Sequence, residues 1–246
     1  MKILFSQNTP SNLAPYEVLQ KKFGAKLEFH PFFLVEPLSE KEFRTEKINL
    51  PDFTAIVFSS RHAIDAYFKL ADEMRFKVPE TMKYFCTTEA VAMYLQKHII
   101  YRKRKIFFGD GTPSSIVNLV GTKHKDEKFL IATSVGSNSE PITSLFDKAG
   151  LEYSEGQFVK SVPQDLHSVD LHSYNMIVLY NPSDIKSLQE NFPDFEQKDI
   201  KFVSFGKSIV SAMENAGLKI EVKAPTPEAS SAAKAIELYL QSKKAK

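Results

Sequence analysis

The sequence predicts an α/β protein of two similar lobes, each built on a parallel sheet, from three observations. Short apolar runs alternate with amphipathic helical patterns along almost the whole chain. One strand–turn–helix stretch occurs twice, as Ala55-Ile56-Val57-Phe58-Ser59-Ser60 within 54–64 and as Met176-Ile177-Val178-Leu179-Tyr180-Asn181 within 175–185. The segments that follow pair too, 83–88 loosely with 202–208, and 112–115 with 226–229. Such a duplication suggests two lobes facing each other, with a ligand lying between them.

In chain order the expected strands are 2–6, 27–34, 55–59, 83–86, 105–108, 129–132, 155–159, 176–180, 201–205 and 218–222. Most are β-prone runs that end in small or polar residues. The expected helices are 12–22, 61–73, 88–97, 113–120, 139–149, 183–191, 207–216 and 227–242. Strand–helix alternation with crossover helices implies parallel sheets covered on both faces. Right-handed crossovers put the strand C-termini of each lobe on one edge. Gly24, Gly150 and Gly217 stand where helices should stop, before apolar strands. Ser114 and Ser139 stand near helix starts, and Pro113, Pro141 and Pro227 fit first turns, where a missing N–H costs little. Two extended, proline-punctuated segments read as connectors, one around Pro31 and Pro37 and one ending at Pro163. The expected division is therefore residues 1–34 with 165–246 as one discontinuous lobe, 38–157 as the other, and 31–37 and 158–164 as linkers.

Composition narrows the function. The chain has 246 residues, 43% hydrophobic and 25% charged, with a net charge of only +2. A nucleic-acid binder would concentrate more positive charge, and the run Arg102-Lys103-Arg104-Lys105 reads as a solvated edge. A single cysteine, Cys86, excludes an intrachain disulfide and a multi-cysteine metal site. No apolar run approaches the roughly 20 residues that span a bilayer. Residues 1–6 read as a first strand and not a leader, so the expected compartment is the cytoplasm. Nothing in the sequence demands a dimer, and a monomer is expected.

Standard chemical motifs are absent: no G-x-G-x-x-G, Walker A, H-E-x-x-H or G-x-S-x-G occurs. Gly109-Asp110-Gly111-Thr112 lacks a phosphate-loop lysine and reads as a turn before a capped helix. His167 and His172, five apart in a connector, read as surface residues, and Cys86 as a strand-end thiol with no assignable histidine partner. What remains is a set of small polar residues at strand C-termini. They include Ser59, Ser60, Arg61, Thr87, Thr88, Gly109, Thr112, Ser134, Tyr180, Asn181, Ser183, Gly206, Lys207 and Ser208. Free amides and the positive helix end make such places good carboxylate or phosphate sites. Taken singly, each Ser or Thr is also a plain helix cap. So many edges of this kind point to an anion-rich ligand held by many weak, neutral donors.

The pieces Val57-Phe58-Ser59-Ser60-Arg61, Val178-Leu179-Tyr180-Asn181-Pro182-Ser183, Phe205-Gly206-Lys207-Ser208 and Ala224-Pro225-Thr226-Pro227-Glu228-Ala229 resemble uroporphyrinogen-III synthase, in order and spacing over nearly the whole chain. The resemblance implies two flavodoxin-like lobes joined by a two-stranded β linker. It implies cyclisation of the linear tetrapyrrole hydroxymethylbilane to uroporphyrinogen III, a lyase reaction of haem biosynthesis with inversion of ring D and loss of water, using no cofactor or metal. Such an enzyme folds a flexible polycarboxylate so that the correct ring carbon attacks, and assists departure of the hydroxyl.

The sequence departs from the family in the second linker, in the Gly-Pro-Thr-Thr turn and in the corresponding turn of the other lobe, which has Cys86 where glycine is common and Glu89 where threonine is common. The linker tyrosine of the family's Tyr-x-Thr-Val-like stretch is Val159 here, and the second threonine of its Gly-Pro-Thr-Thr turn is Ile209. The surviving hydroxyl candidates for catalysis are Tyr180 and Ser208, and Tyr180 either reaches the reacting carbon or packs in its sheet. Ser59, Ser60, Thr87, Thr88, Gly109, Thr112, Ser134, Asn181, Ser183 and Gly206 would bind acetate and propionate groups, with Arg61 and Lys207 adding charge-assisted contacts. The alternative is a family member that binds tetrapyrroles or other polyanions without turning them over. A response-regulator-like protein is disfavoured, because Ser6-Gln7-Asn8 stands where its acidic pair would follow strand one.

Overall fold

A computed structural model describes residues 1–244. Its strands are β1 (Lys2–Phe5), β2 (Lys26–Phe29), β3 (Phe33–Pro37), β4 (Ala55–Phe58), β5 (Lys83–Cys86), β6 (Ile106–Phe108), β7 (Phe129–Ser134), β8 (Tyr153–Pro163), β9 (Met176–Leu179), β10 (Lys201–Phe205) and β11 (Ile220–Ala224). Its helices are α1 (Glu17–Phe23), α2 (Glu40–Phe43), α3 (Arg61–Glu73), α4 (Glu89–Tyr94), α5 (Pro113–Val120), α6 (Glu140–Ala149), α7 (Pro182–Asn191), α8 (Lys207–Asn215) and α9 (Ala232–Lys244). The chain divides into two compact units, the first formed by Met1–Leu34 with Val162–Lys246 and the second by Val35–Ser161.

The first unit holds a five-stranded sheet in the order β2-β1-β9-β10-β11, the flavodoxin-like order. The second unit holds the order β8-β7-β4-β5-β6, with β3 beyond β8. The two sheets repeat each other strand for strand, although the chain enters them at different strands. Val178 of β9 pairs in register with Phe5 of β1 and Val203 of β10. Val57 of β4 pairs in the same way with Ile131 of β7 and Phe85 of β5. This places β1 opposite β7 in the comparison, β2 opposite β8, β9 opposite β4, β10 opposite β5 and β11 opposite β6. All eight of these strand pairs are parallel.

Burial explains why the central strands read as unbroken apolar runs. Every residue of β4 and β9 is buried, because helices cover both faces of each sheet. In α3, Ala63, Ile64, Tyr67, Leu70 and Ala71 recur at helical spacing and fill one stripe against the sheet. Ser60 starts that helix, its Oγ accepting from the Ala63 N–H at 3.1 Å. Gly24, Gly150 and Gly217 all have positive φ at or just past helix ends.

Four expectations change. The single strand expected over 27–34 is two strands in different sheets, β2 and β3, with Pro31 and the fully buried Phe32 between them. The first helix begins at Glu17, after a 3-10 turn at Ala14–Tyr16. The helix expected over 227–242 begins at Ala232. Before it the chain turns through a cis Ala224–Pro225 peptide and a bridge between Thr226 and Ala229, so Pro227 lies in a turn and not in a helix. Finally, α2 was not expected; Ser39 and Glu42 close a capping box there and Phe43 is buried beneath it.

Candidate functional site

In open parallel sheets, ligands bind outside the strand C-termini at the point where strand order reverses. That point lies between β1 and β9 in the first unit and between β4 and β7 in the second. The two units treat it differently.

In the first unit it is filled from within by Asp184, in the first turn of α7 and fully buried. Its Oδ2 accepts from the Ser6 hydroxyl at 2.8 Å, the Tyr180 N–H at 2.8 Å and the Asn181 N–H at 3.0 Å. Its Oδ1 is buried without a hydrogen-bond partner. Burial pushes the carboxyl up to about 6, against the opposing pull of the Tyr180 and Asn181 amides and the Ser6 hydroxyl. The amides expected to bind a ligand anion here therefore already hold one belonging to the protein. Sequence reasoning missed Asp184 as a functional residue. The available signal was the Asn181-x-x-Asp184 capping pattern, since Asn181 caps Ser183 N–H at 2.9 Å and Asp184 returns to the Asn181 N–H.

In the second unit the residue in the place of Asp184 is Ala63, and that in the place of Ser6 is Ala132, by the register of β7 on β4. No internal carboxylate closes this edge. On the opposite face of the sheet lies a cavity of about 280 Å³ at the ends of β4, β5 and β7. Its floor is apolar, with Val57, Ile131 and Ile142, and its rim carries Ser59, Thr87, Thr133 and Ser134. Of the residues expected to bind, Ser59, Thr87 and Ser134 are thus brought together, with Gly111 beside them.

The others lie elsewhere on the same edges. Ser60, Thr88 and Thr112 cap α3, α4 and α5 through Ala63, Val91 and Ser115 N–H groups at 3.1, 3.4 and 3.3 Å. The Thr112 hydroxyl also donates to Asp110 Oδ1 at 2.6 Å, which helps hold that carboxyl below its usual range. Gly109 is required by close approach, because a Cβ there would stand 2.0 Å from Ser115 Oγ. Arg61 is exposed, with its guanidinium 5.4 Å from the Tyr94 ring centre. Gly206 precedes α8 with φ +128, and Lys207 and Ser208 are exposed in that helix's first turn. Ser183 is half-buried at the start of α7.

Tyr180 packs in its sheet, edge-on to Phe205 with ring centres 5.9 Å apart. Its hydroxyl is buried, and burial above all, with Tyr16 nearby, raises it well above its ordinary value. That environment opposes ionisation. Burial likewise pushes the Cys86 thiol up to about 12, so this cysteine is no nucleophile at neutral pH. Among the described residues, no three His, Cys, Asp or Glu side chains gather as a metal site, and no helix is long and apolar enough to cross a membrane.

Val159 is 2% exposed and belongs to the core that contains Phe58, Tyr67 and Phe158. The side chain at this position is packed in the second unit's core, while its backbone pairs with Ser134 beside the cavity. Val159→Tyr is therefore expected to overpack the core and destabilise the protein by about 1–3 kcal/mol, with no gain in catalysis. Urea unfolding and a turnover assay on the same preparation check both halves of that expectation.

Two α/β units with parallel sheets, one with an amphipathic cavity at its switch point, define a flavodoxin-like α/β protein with a candidate small-molecule site at strand C-termini. The chain matches the uroporphyrinogen-III synthase HemD family over residues 15–234 and belongs to it. Two solved structures share the fold. The uroporphyrinogen-III synthetase of Helicobacter pylori is 14% identical, with 98% of each chain covered and a TM-score of 0.60. A mutant uroporphyrinogen III synthase of Thermus thermophilus is 11% identical, with 100% of this chain and 99% of that chain covered and a TM-score of 0.56. No curated protein matches the sequence.

Proposed function

We propose that this chain is a uroporphyrinogen-III synthase, cyclising hydroxymethylbilane to uroporphyrinogen III with inversion of ring D and loss of water. The observation that carries the reading, beyond family membership, is the cavity of the second unit, with its aliphatic floor and rim of uncharged hydroxyls. A pyrrole-based polycarboxylate presents matching chemistry, flat apolar rings bearing anionic arms. Hydroxyls and amides bind such arms without the salt-dependent pull of a cationic cluster.

Catalysis then rests chiefly on conformation. Holding the linear substrate so that the substituted carbon of ring D meets the terminal methylene replaces an unlikely encounter with a preorganised one. The leaving hydroxyl is assisted by hydrogen bonding from neutral donors. Ser208, exposed in the first turn of α8, is available for that role; Tyr180, buried with a raised phenol, is less suited to it. The alternative is a family member that binds tetrapyrroles without turning them over, motivated by the valine at position 159, which carries no proton to donate. The substrate is a small molecule, and the proposal places the enzyme in the cytoplasm as a monomer.

The test is to add the purified protein to freshly prepared hydroxymethylbilane and separate the product isomers. The expected product is the type III isomer, formed faster than spontaneous closure. Only the type I isomer, at the spontaneous rate, would leave a tetrapyrrole-binding protein.

A further inference from the structure

The strand-for-strand correspondence of the two sheets shows what fits the open cavity. By register, Tyr180 in the first unit stands where Ser59 stands in the second, each two residues beyond the paired valines Val178 and Val57. Phe205 likewise stands where Thr87 stands, each two residues beyond Val203 and Phe85. In the first unit this place is occupied by aromatic rings, the half-buried Tyr180 and Phe205. Tyr180 meets Phe205 at 5.9 Å and 62°, over a sheet face that also carries Phe5 and Tyr16, 5.1 Å apart. In the second unit both rings are absent, and the place is the 280 Å³ cavity floored by Val57 and Ile131. Among the described residues, the Ser59 and Thr87 side chains make no hydrogen bond within the protein, which leaves both hydroxyls for a ligand.

We infer that the second unit's cavity is the seat of a single aromatic ring of the substrate, which takes the place that Tyr180 and Phe205 fill in the first unit. Ser59 and Thr87 are the residues that keep that seat open. The inference rests on the proposed tetrapyrrole substrate and makes it more specific. One pyrrole lies against the half-buried Ile142 and the exposed Pro141 at the cavity wall, and its carboxylate arms reach the Ser59, Thr87 and Ser134 hydroxyls. The volume agrees with one ring and its arms, because sites that enclose a whole small ligand run to about 300–1,000 Å³. The equivalent place in the first unit, closed by its own side chains, takes no ring. Tyr180 is accordingly a structural plug.

The experiment transplants the plug. Ser59→Tyr with Thr87→Phe copies the first unit's packing into the second, and Thr87→Phe alone is a milder version should the pair fold poorly. Isotope-labelled protein is titrated with pyrrole-2-carboxylate, and each variant is assayed for type III product. In the wild type, amide signals of Ser59, Thr87 and Ser134 should move on titration, while those of Tyr180 and Phe205 stay still. In the folded variants the shifts should vanish and type III formation should fall by about 100-fold or more, the scale of loss when a reacting group is misplaced. Variants that fold and keep wild-type turnover would overturn the inference while leaving the synthase reading intact. Shifts at Tyr180 in place of Ser59 would also overturn it. Wild-type protein that shows the Ser59 shifts but makes no type III product would support the seat and sink the synthase reading.

Discussion

Asp184→Ala is expected to lower the stability of the protein by about 3 kcal/mol. The substitution leaves the Ser6 hydroxyl and the Tyr180 and Asn181 amides without their shared acceptor at the centre of the first unit. Each orphaned buried donor costs about 1–3 kcal/mol, offset in part by removing a carboxylate whose Oδ1 is itself unpaired. The more diagnostic variant is Asp184→Asn, because it separates charge from shape. The folded-state carboxyl titrates near 6, above its ordinary 3.8. A raised pKa contributes stability that is complete below the unfolded value and is lost as pH rises through the folded one. The wild type should thus lose about 2–3 kcal/mol relative to Asp184→Asn between pH 4 and pH 7.5. Groups common to both proteins cancel in that difference. Urea unfolding followed by circular dichroism at both pH values measures it, and parallel profiles would show that Asp184 does not titrate in this window.

Phe158→Ala is expected to cost about 3–5 kcal/mol. Phe158 is fully buried, tilted against Phe43 at 4.8 Å and edge-on to Tyr67 at 5.8 Å. Its carbonyl accepts from the Leu38 N–H at 2.8 Å, which ties β8 to the segment between β3 and α2. Loss of the ring opens a cavity beneath α2 and should release that segment first. Hydrogen exchange should therefore quicken at Leu38 and Phe43 while the amides around Asp184, in the other unit, keep their protection. A cost below about 1 kcal/mol would mean that the site collapses without a void, contrary to the close packing described.

The parts of the fold written in local pattern were legible in the sequence. The buried runs of β4 and β9, the stripe of α3 and the helix-ending glycines all follow from spacing within a few residues. The boundaries that failed depend on distant partners. Residues 27–34 read as one β-prone stretch, yet Phe32 is held by long-range contacts, its carbonyl accepting from the Gln164 N–H at 2.9 Å and from the Ser187 hydroxyl. Pro227 reads as a helix start, while the chain uses it in a turn bridged by Thr226 and Ala229.

The candidate site divides in the same way. Hydroxyls at strand ends could be read from the sequence, but whether each serves as a cap or faces a cavity could not. Ser60 and Ser59 are neighbours, and only the first spends its side chain on a helix end. Asp184 was hidden because its partner Ser6 lies 178 residues away. The repeat seen in the sequence showed that two sheets existed. Their register shows that Tyr180, Phe205 and Asp184 of one copy stand where the other has Ser59, Thr87 and the buried Ala63.

The most direct measurement is the isomer ratio of the product formed by the wild-type chain from fresh hydroxymethylbilane, against heat-denatured protein as the blank. The account predicts that the type III isomer dominates at times when the blank has made little of any product. A type I product in both tubes, at equal rates, would contradict it.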